Sequence, residues 1–600
     1  MGYRRFDTID GHHPWRNVSA DVYVDYAVRS RHGGRVFYFN FDLAREMGLI
    51  ARRHPRRLTP GLSQAILDAF SLVIINEYDM QHGRRFPKRD VRPHKYMATR
   101  YLQCQHRSRT GRTSGDGRSI WNGFFKGPNG VWDISSCGTG ATCLSPATAR
   151  FGTYFKTGNL ARPYAGGQAD LLDSVCAALM SDIFHRNGIA TERTLAIIAF
   201  DDGTCIAVRA AGNLLRPAHL FRLLKMGRLD ELRAAVNYYI ARQRANGDWP
   251  APRRGQDRYR VFLERMATHF ARAAAVFESE YIFCWMDWDG DNLLMDGAVL
   301  DYGSVRQFGL YHHEYRYNDI ERLSTTIAEQ RGKARYIVQT FAQLADYLVT
   351  GRKQSLKSFR HHAALKAFDR VFEATKDNAL IHKLGYDRRQ AGLIQGEPAL
   401  RRDLRRLRTV LHAFERVKST RGLYRTQDGI TADAIFCVRD ILRELPGHFL
   451  DTQTDMDAGQ FLAVTKTDYA TDEDARLTPA RRDKARKFQR LYRRLLTGVA
   501  RRQGASTDSV LRGMKERSDL VNRYERVTGD AVIYAADRLV REAWPLGFDA
   551  VNAVFRHFVA QQVLDPDARK GRRHHPLNSR KGRQVLRTML RDVRTLRAGL

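Results

Sequence analysis

Two Asp-Gly turns, each set between short apolar runs, constrain the fold of this 600-residue chain more than any other feature. Asp202 and Gly203 separate the runs 194–200 and 204–210; Asp296 and Gly297 separate 293–295 from 298–300. An Asp-Gly pair supplies the positive φ that a tight hairpin turn demands, so both read as antiparallel hairpins. The second is bracketed by Asp291 and Asn292 before it and Asp301 after it. With strands this short, Asp301 returns beside Asn292, and two hard oxygen donors converge on a space fit for one Mg²⁺ or Mn²⁺. Asp291 is left adjacent, able to orient or deprotonate a hydroxyl. A pair of Asx turns is the purely structural alternative.

The rest of the chain arranges itself around these hairpins. Residues 1–100 read as an N-terminal extension, with strand-like VYVDYAV and RVFYFNF and helical LAREMGLI and LSQAILDAF. Residues 101–216 read as a β-rich unit, dense in Gly as in GRTSGDGR, FFKGPNG and CGTGAT, with one helix near 169–186. Residues 217–450 read as mostly helical; Phe262, Met266, Phe270 and Phe277 recur at helical spacing and mark a core stripe. Residues 451–600 read as a basic helical module ending in the tail ARKGRRHHPLNSRKGR. The fold class is α+β.

Composition narrows the partners. Lys plus Arg number 100 against 65 Asp plus Glu, a formal charge of +35, and only 18 of the basic residues are Lys. Such a surface favours polyanions, including nucleotides, nucleic acid or an acidic protein, although an Arg excess also follows from GC-rich coding. Seven Cys at 104, 137, 143, 176, 205, 284 and 437 form no CxxC pair, which argues against a disulfide framework or zinc ribbon. No apolar run approaches the length of a membrane span, and the first residues lack the apolar core of a signal peptide, so a cytoplasmic protein with no membrane partner is expected.

An Asn before the second hairpin and Asp301-Tyr302-Gly303 after it repeat the layout with which protein kinases hold a metal-bound nucleotide. Arg209 and Arg216, seven apart beyond the first hairpin, offer planar forks for phosphate oxygens. SGDGR at 114–118 and CGTGAT at 137–142 carry Gly115, Gly117, Arg118, Gly138 and Gly140, whose backbone could approach phosphate, though neither matches a P-loop or Rossmann fingerprint. Adjacent histidines point apart on any regular element, so His312 and His313 with Glu314, His361 with His362, and His574 with His575 read as surface or packing residues.

Taken in order, these pieces resemble the selenoprotein O family, protein adenylyltransferases on a protein-kinase-like, two-lobed fold. The resemblance runs through VFYFNFDLAREMGL, GDGR at 115–118, WDISSCGTGAT at 132–142, HRNGIATERTLAII at 185–198, Arg209 and Arg216, DGDN at 289–292 and DYG at 301–303. It covers about residues 20 to 330. It implies transfer of AMP from ATP to a Ser, Thr or Tyr hydroxyl of an acceptor protein. Asp291 would be the base and Asn292 and Asp301 the ligands of Mg²⁺ or Mn²⁺. Gly115, Gly117, Arg118, Gly138, Gly140, Gly167, Arg209 and Arg216 would form the nucleotide site.

The chain also departs from that family. Cys137 stands where the family has a strand Lys, and Ala177 where it has the paired helix Glu; losing both together avoids an unpaired buried charge. Gly166 replaces an Asp while Gly167 is kept, and the chain ends without the redox Cys or selenocysteine of some members. Between 96 and 224 the only lysines are Lys126 and Lys156, so Lys126, at the end of the strand before that of Cys137, is the candidate to supply the missing ammonium. Two alternatives stay open: a catalytically impaired nucleotide-binding pseudoenzyme whose basic C-terminal half docks RNA or an acidic partner, and a protein kinase.

Overall fold

Nine strands form one antiparallel sheet: β1 (Tyr23–Ser30), β2 (Arg35–Phe39), β3 (Leu72–Ile74), β4 (Val91–Thr99), β5 (Ser119–Gly127), β6 (Gly130–Cys137), β7 (Ala169–Asp170), β8 (Arg193–Ala199) and β9 (Thr204–Ala211). Their order is β2-β8-β9-β6-β5-β4-β1-β3, with β7 also on β9. The computed structural model describes residues 2–103, 106, 110–159, 161–162, 165–250, 257–284, 290–311, 313, 325–425, 431–569, 577 and 579–596.

The strands of residues 1–100 belong to this same sheet. β2 pairs with β8, with Arg35 opposite Ala199, and β1 lies against β4. The first 100 residues therefore contribute strands to the sheet rather than standing apart from it; Tyr26 and Val28 of β1 and all of Val36 to Phe39 of β2 are buried. Buried His13 fixes the chain's start to it, its Nε2 3.0 Å from Asp133 Oδ1 on β6, and Arg242 meets the same oxygen at 2.6 Å. Asp133 is held down at about 2: burial opposes this, and Arg242 and His13 outweigh it.

Both Asp-Gly hairpins form. In the first, β8 and β9 pair from Arg193 opposite Ala210 to Ala199 opposite Cys205, and Gly203 has a φ of +78°. In the second, Leu294 N–H donates to Ala298 O (3.0 Å) and Leu300 N–H to Asn292 O (3.3 Å), while Asp296 Oδ1 caps the turn by accepting from Ala298 N–H.

Helices occupy the positions that the apolar periodicity predicts. The helix Leu171–Arg186 starts where the Asp170 side chain accepts from Asp173 N–H, and Pro217 opens Pro217–Met226. On the long helix Asp257–Ser279, Phe262, Met266, Phe270 and Phe277 are all buried, as the stripe required.

Among the described residues the two largest apolar cores are these. One runs from Trp15 to Phe372 and resumes from Val527 to Val593; the other spans Leu380 to Met514. The expected division at 450/451 falls inside the second core, because the helix Pro479–Gln503 lies on Pro398–Glu415. The last helices return to the first core: Phe555, on Phe548–Gln561, packs on Tyr38 of β2 with ring centres 4.4 Å apart. Among the described residues no helix is long and apolar enough to cross a membrane.

Candidate active site

The open end of the first hairpin grips the second. On the side leading into β8, Val299 N–H donates to Ala190 O (2.9 Å) and Glu192 N–H to Val299 O (3.0 Å). On the side leaving β9, Met295 N–H donates to Leu215 O and Ala218 N–H to Gly290 O, both 2.9 Å. The segment 290–301 is thus held between two stretches of the sheet unit, and Asp291, Asn292 and Asp301 are brought beside Arg209 and Arg216.

Within this cluster the residues differ in exposure. Asp291 and Asn292 are buried, whereas Asp301 is exposed on a turn with φ +62°, a conformation that Asp tolerates better than most residues. Asp301 Oδ1 accepts from Gly303 N–H (3.2 Å), and the Tyr302 hydroxyl is hydrogen-bonded to Thr191 Oγ1. An amide oxygen and a carboxylate fit a hard divalent cation. Among the described residues no group of three His, Cys, Asp or Glu side chains could hold a metal alone. Such a donor pair suits a cation that takes its remaining oxygens from phosphate and water.

Arg216 is the most heavily bonded member. Its Nη1 donates to the Tyr101 hydroxyl (3.0 Å) and the Asp291 carbonyl (2.8 Å), and its Nη2 lies 3.7 Å from Asp116 Oδ1. Burial works against its charge, but Tyr101, Asp116, Asp291 and Asp301 together raise its pKa. Arg209 Nη1 lies 3.3 Å from Glu192 Oε2. Glu192 is pushed up by burial, with Arg209 and Arg216 pulling it back.

Asp116 and Glu192 escaped the sequence reading. Asp116 lies inside the GDGR motif, where the glycines and Arg118 drew attention; it is buried and accepts from Thr99 N–H (2.9 Å), Thr99 Oγ1 (2.6 Å) and Trp121 Nε1 (3.0 Å). It ties the glycine-rich turn to Arg216. Glu192 lies in ATER, and only the tertiary pairing of 190–192 with 299 turns it toward Arg209. His219 completes the layer: its Nδ1 accepts from Arg216 N–H (3.0 Å), its Nε2 meets Thr99 Oγ1 (2.9 Å), and burial plus the Arg216 charge pull it down to about 3.

The glycines have a structural cause. A Cβ at Gly115 would sit 2.1 Å from Thr99 O, and one at Gly167 2.0 Å from Ala141 N. At Gly117, Gly138 and Gly140 the nearest atoms likewise belong to the chain, namely Ser145, Cys205 and the Ile74 and Thr157 side chains. Close approach of other parts of the chain, backbone at Gly115, Gly117, Gly138 and Gly167 and side chains at Gly140, leaves little room for a Cβ at any of the five. Gly138 and Thr139 N–H groups donate to Arg118 O, and Arg118 Nη1 donates to Gln168 O (3.1 Å).

Lys126 is not brought to this cluster. Ser119 faces Cys137 across β5 and β6, whereas Lys126 faces Val131 at the far end of the hairpin, about 20 Å away at strand rise. Its ammonium is exposed over the Phe124 ring. The expectation that Lys126 replaces the missing strand Lys fails on this register. Arg209 does share a face with Cys137, since Ser135 faces Arg209 and Cys137 faces Ala207.

The His clusters behave as packing groups where they are described. His313 Nδ1 lies 2.7 Å from Asp433, and His362 Nδ1 accepts from Ala364 N–H at a helix start. His312, Glu314, His574, His575, Asp289, Cys104, most of the tail at 568–578 and the final residues 597–600 lie outside the described residues.

The family model described as protein adenylyltransferase SelO matches residues 49–526. The chain belongs to that family. It is 23% identical over 292 residues to the protein nucleotidyltransferase YdiU of Shewanella loihica, covering 46% of this chain and 55% of the relative. The YdiU proteins of Burkholderia thailandensis (26% over 197 residues, 32% of this chain and 33% of the relative) and Shewanella baltica (32% over 136 residues, 21% and 25%) are also similar. The matches thus span between a quarter and about half of those relatives' lengths. Against the family pattern, Cys137 and Ala177 are both half-buried and uncharged, so their exchange leaves no charge stranded.

Proposed function

We propose that this chain transfers AMP from ATP to a Ser, Thr or Tyr hydroxyl of an acceptor protein, on a two-lobed kinase-like scaffold and with Mg²⁺ or Mn²⁺. The observation that carries the reading is the grip of one hairpin on the other, which sets Asp291, Asn292 and Asp301 against two arginines. Family membership supports the reaction class, since the matching model describes a protein adenylyltransferase.

In this reading Asp291 takes the proton of the acceptor hydroxyl as its oxygen attacks the α-phosphorus. The bond from that phosphorus to the β-phosphate oxygen breaks, and pyrophosphate leaves. Arg209 and Arg216 hold phosphate oxygens through their forks, and Arg216 also steadies Asp291 through its main-chain carbonyl. Asn292 and Asp301 would hold the cation, which when bound supplies charge compensation to the phosphates. Asp116 and His219 keep Arg216 aimed. Incubation with ATP labelled at α or at γ tests the reading: label from α on protein supports it, and label from γ points to a kinase.

A second surface supports a polyanion partner. A groove of about 1010 Å³ between the helices Pro398–Glu415 and Pro479–Gln503 is lined by Arg482, Arg486 and Arg490, four apart on one helix face. Asp455 and Asp403 take Arg493 and Arg494 at 2.9 and 3.0 Å. No carboxylate partner of Arg482, Arg486 or Arg490 occurs among the described residues. Three unneutralised guanidiniums in a concave surface suit phosphate or carboxylate groups on a flexible chain.

A further inference from the structure

Arg209 and Arg216 are engaged in different ways. Arg216 Nη1 donates to a hydroxyl and to a main-chain carbonyl, and its Nη2 faces a carboxylate 3.7 Å away. Among the described residues Arg209 has one ion-pair partner, Glu192, in a contact that leaves both wanting: Glu192 Oε2 and Arg209 Nε are buried and make no hydrogen bond there. Glu192 is itself only 7% exposed. Its backbone is pinned by Val299 and by the start of β8, so only its side chain is able to move.

A carboxylate presents to guanidinium the same pair of oxygens that a phosphate does. We propose that Glu192 occupies the place of a phosphate at Arg209, so that a bound polyphosphate must displace it and Glu192 sets how tightly the site holds its nucleotide. This rests on the reading that the site takes ATP. Four carboxylates, of Asp116, Glu192, Asp291 and Asp301, surround two guanidiniums here. The cluster already carries more negative than positive charge before a triphosphate arrives. Glu192 is the carboxylate that sits on the arginine with hydrogen-bonding capacity to spare.

Calorimetric titration of the full chain with ATP and, separately, with inorganic tripolyphosphate tests this, with and without Mn²⁺. Glu192→Gln, which keeps the shape and removes the charge, is expected to bind both probes about 10-fold tighter, in metal-free buffer as well. Glu192→Ala should repeat the gain, which guards against a folding defect in one variant. The gain should vanish when Arg209→Ala is added. Unchanged or weaker binding by both variants, while the wild type binds ATP, overturns the proposal and leaves the nucleotide reading standing. Failure of the wild type and both variants to bind either probe overturns both.

Discussion

Arg216 donates from Nη1 to the main-chain carbonyl of Asp291 across 2.8 Å. This bond joins the exit of β9 to the hairpin carrying the candidate catalytic groups, and it is made by a buried cation. Removing one partner from a buried charged network typically costs about 3 kcal/mol or more, because the other charge is left uncompensated. Arg216→Ala should therefore lower both the urea midpoint and ATP affinity. Arg216→Lys should recover part of the stability, but less of the affinity, because a point charge lacks the two-pronged contact.

The pH dependence of stability carries a signature of His219. Its folded pKa of about 3 lies below the ordinary value of 6.5, so the unfolded chain binds the extra proton first. The stability that it contributes is complete above about pH 6.5 and is lost as pH falls from there toward 3, at up to about 1.4 kcal/mol per unit. Asp133, held at about 2 when folded, adds a second loss below about pH 4. Urea midpoints at pH 7.5 and 5 should differ in the wild type, and His219→Gln should narrow the difference.

Lys126→Ala should leave ATP affinity within error of the wild type, as measured by calorimetry, because the β5–β6 register sets Lys126 at the opposite end of the hairpin from Cys137.

The groove makes a salt-dependent prediction. Replacing Arg482, Arg486 and Arg490 by Ala should weaken binding to a single-stranded RNA or a polyglutamate probe. For single-stranded RNA it should flatten the slope of log K against log salt by up to about 2. The label-transfer chemistry should be unaffected on a small acceptor.

How much of this was legible in the sequence follows from the range of each interaction. Turn chemistry is local, so Asp202-Gly203 and Asp296-Gly297 announced both hairpins, and the Phe262–Phe277 stripe announced a buried helix face. Sheet partnership is not local: nothing in 35–39 names 196–199 as its neighbour, so residues 1–100 read as an extension when β1–β4 complete the sheet. The same limit hid Asp116 and Glu192, whose roles depend on segments about 100 residues or more away in Arg216 and Val299. A glycine beside a ligand and one beside a distant part of the chain look alike in sequence, so the close packing at Gly115 and Gly167 was not legible there.

In the proposed reaction the second hairpin gathers a divalent cation and a triphosphate for transfer of the adenylyl group. The direct measurement is transfer to protein from ATP labelled at the α position with Mn²⁺, in the wild type and in Asp301→Ala. The expected result is α-label on protein in the wild type, its loss in Asp301→Ala, and no transfer from γ-labelled ATP. Transfer from γ, or undiminished α-transfer by Asp301→Ala, would contradict it.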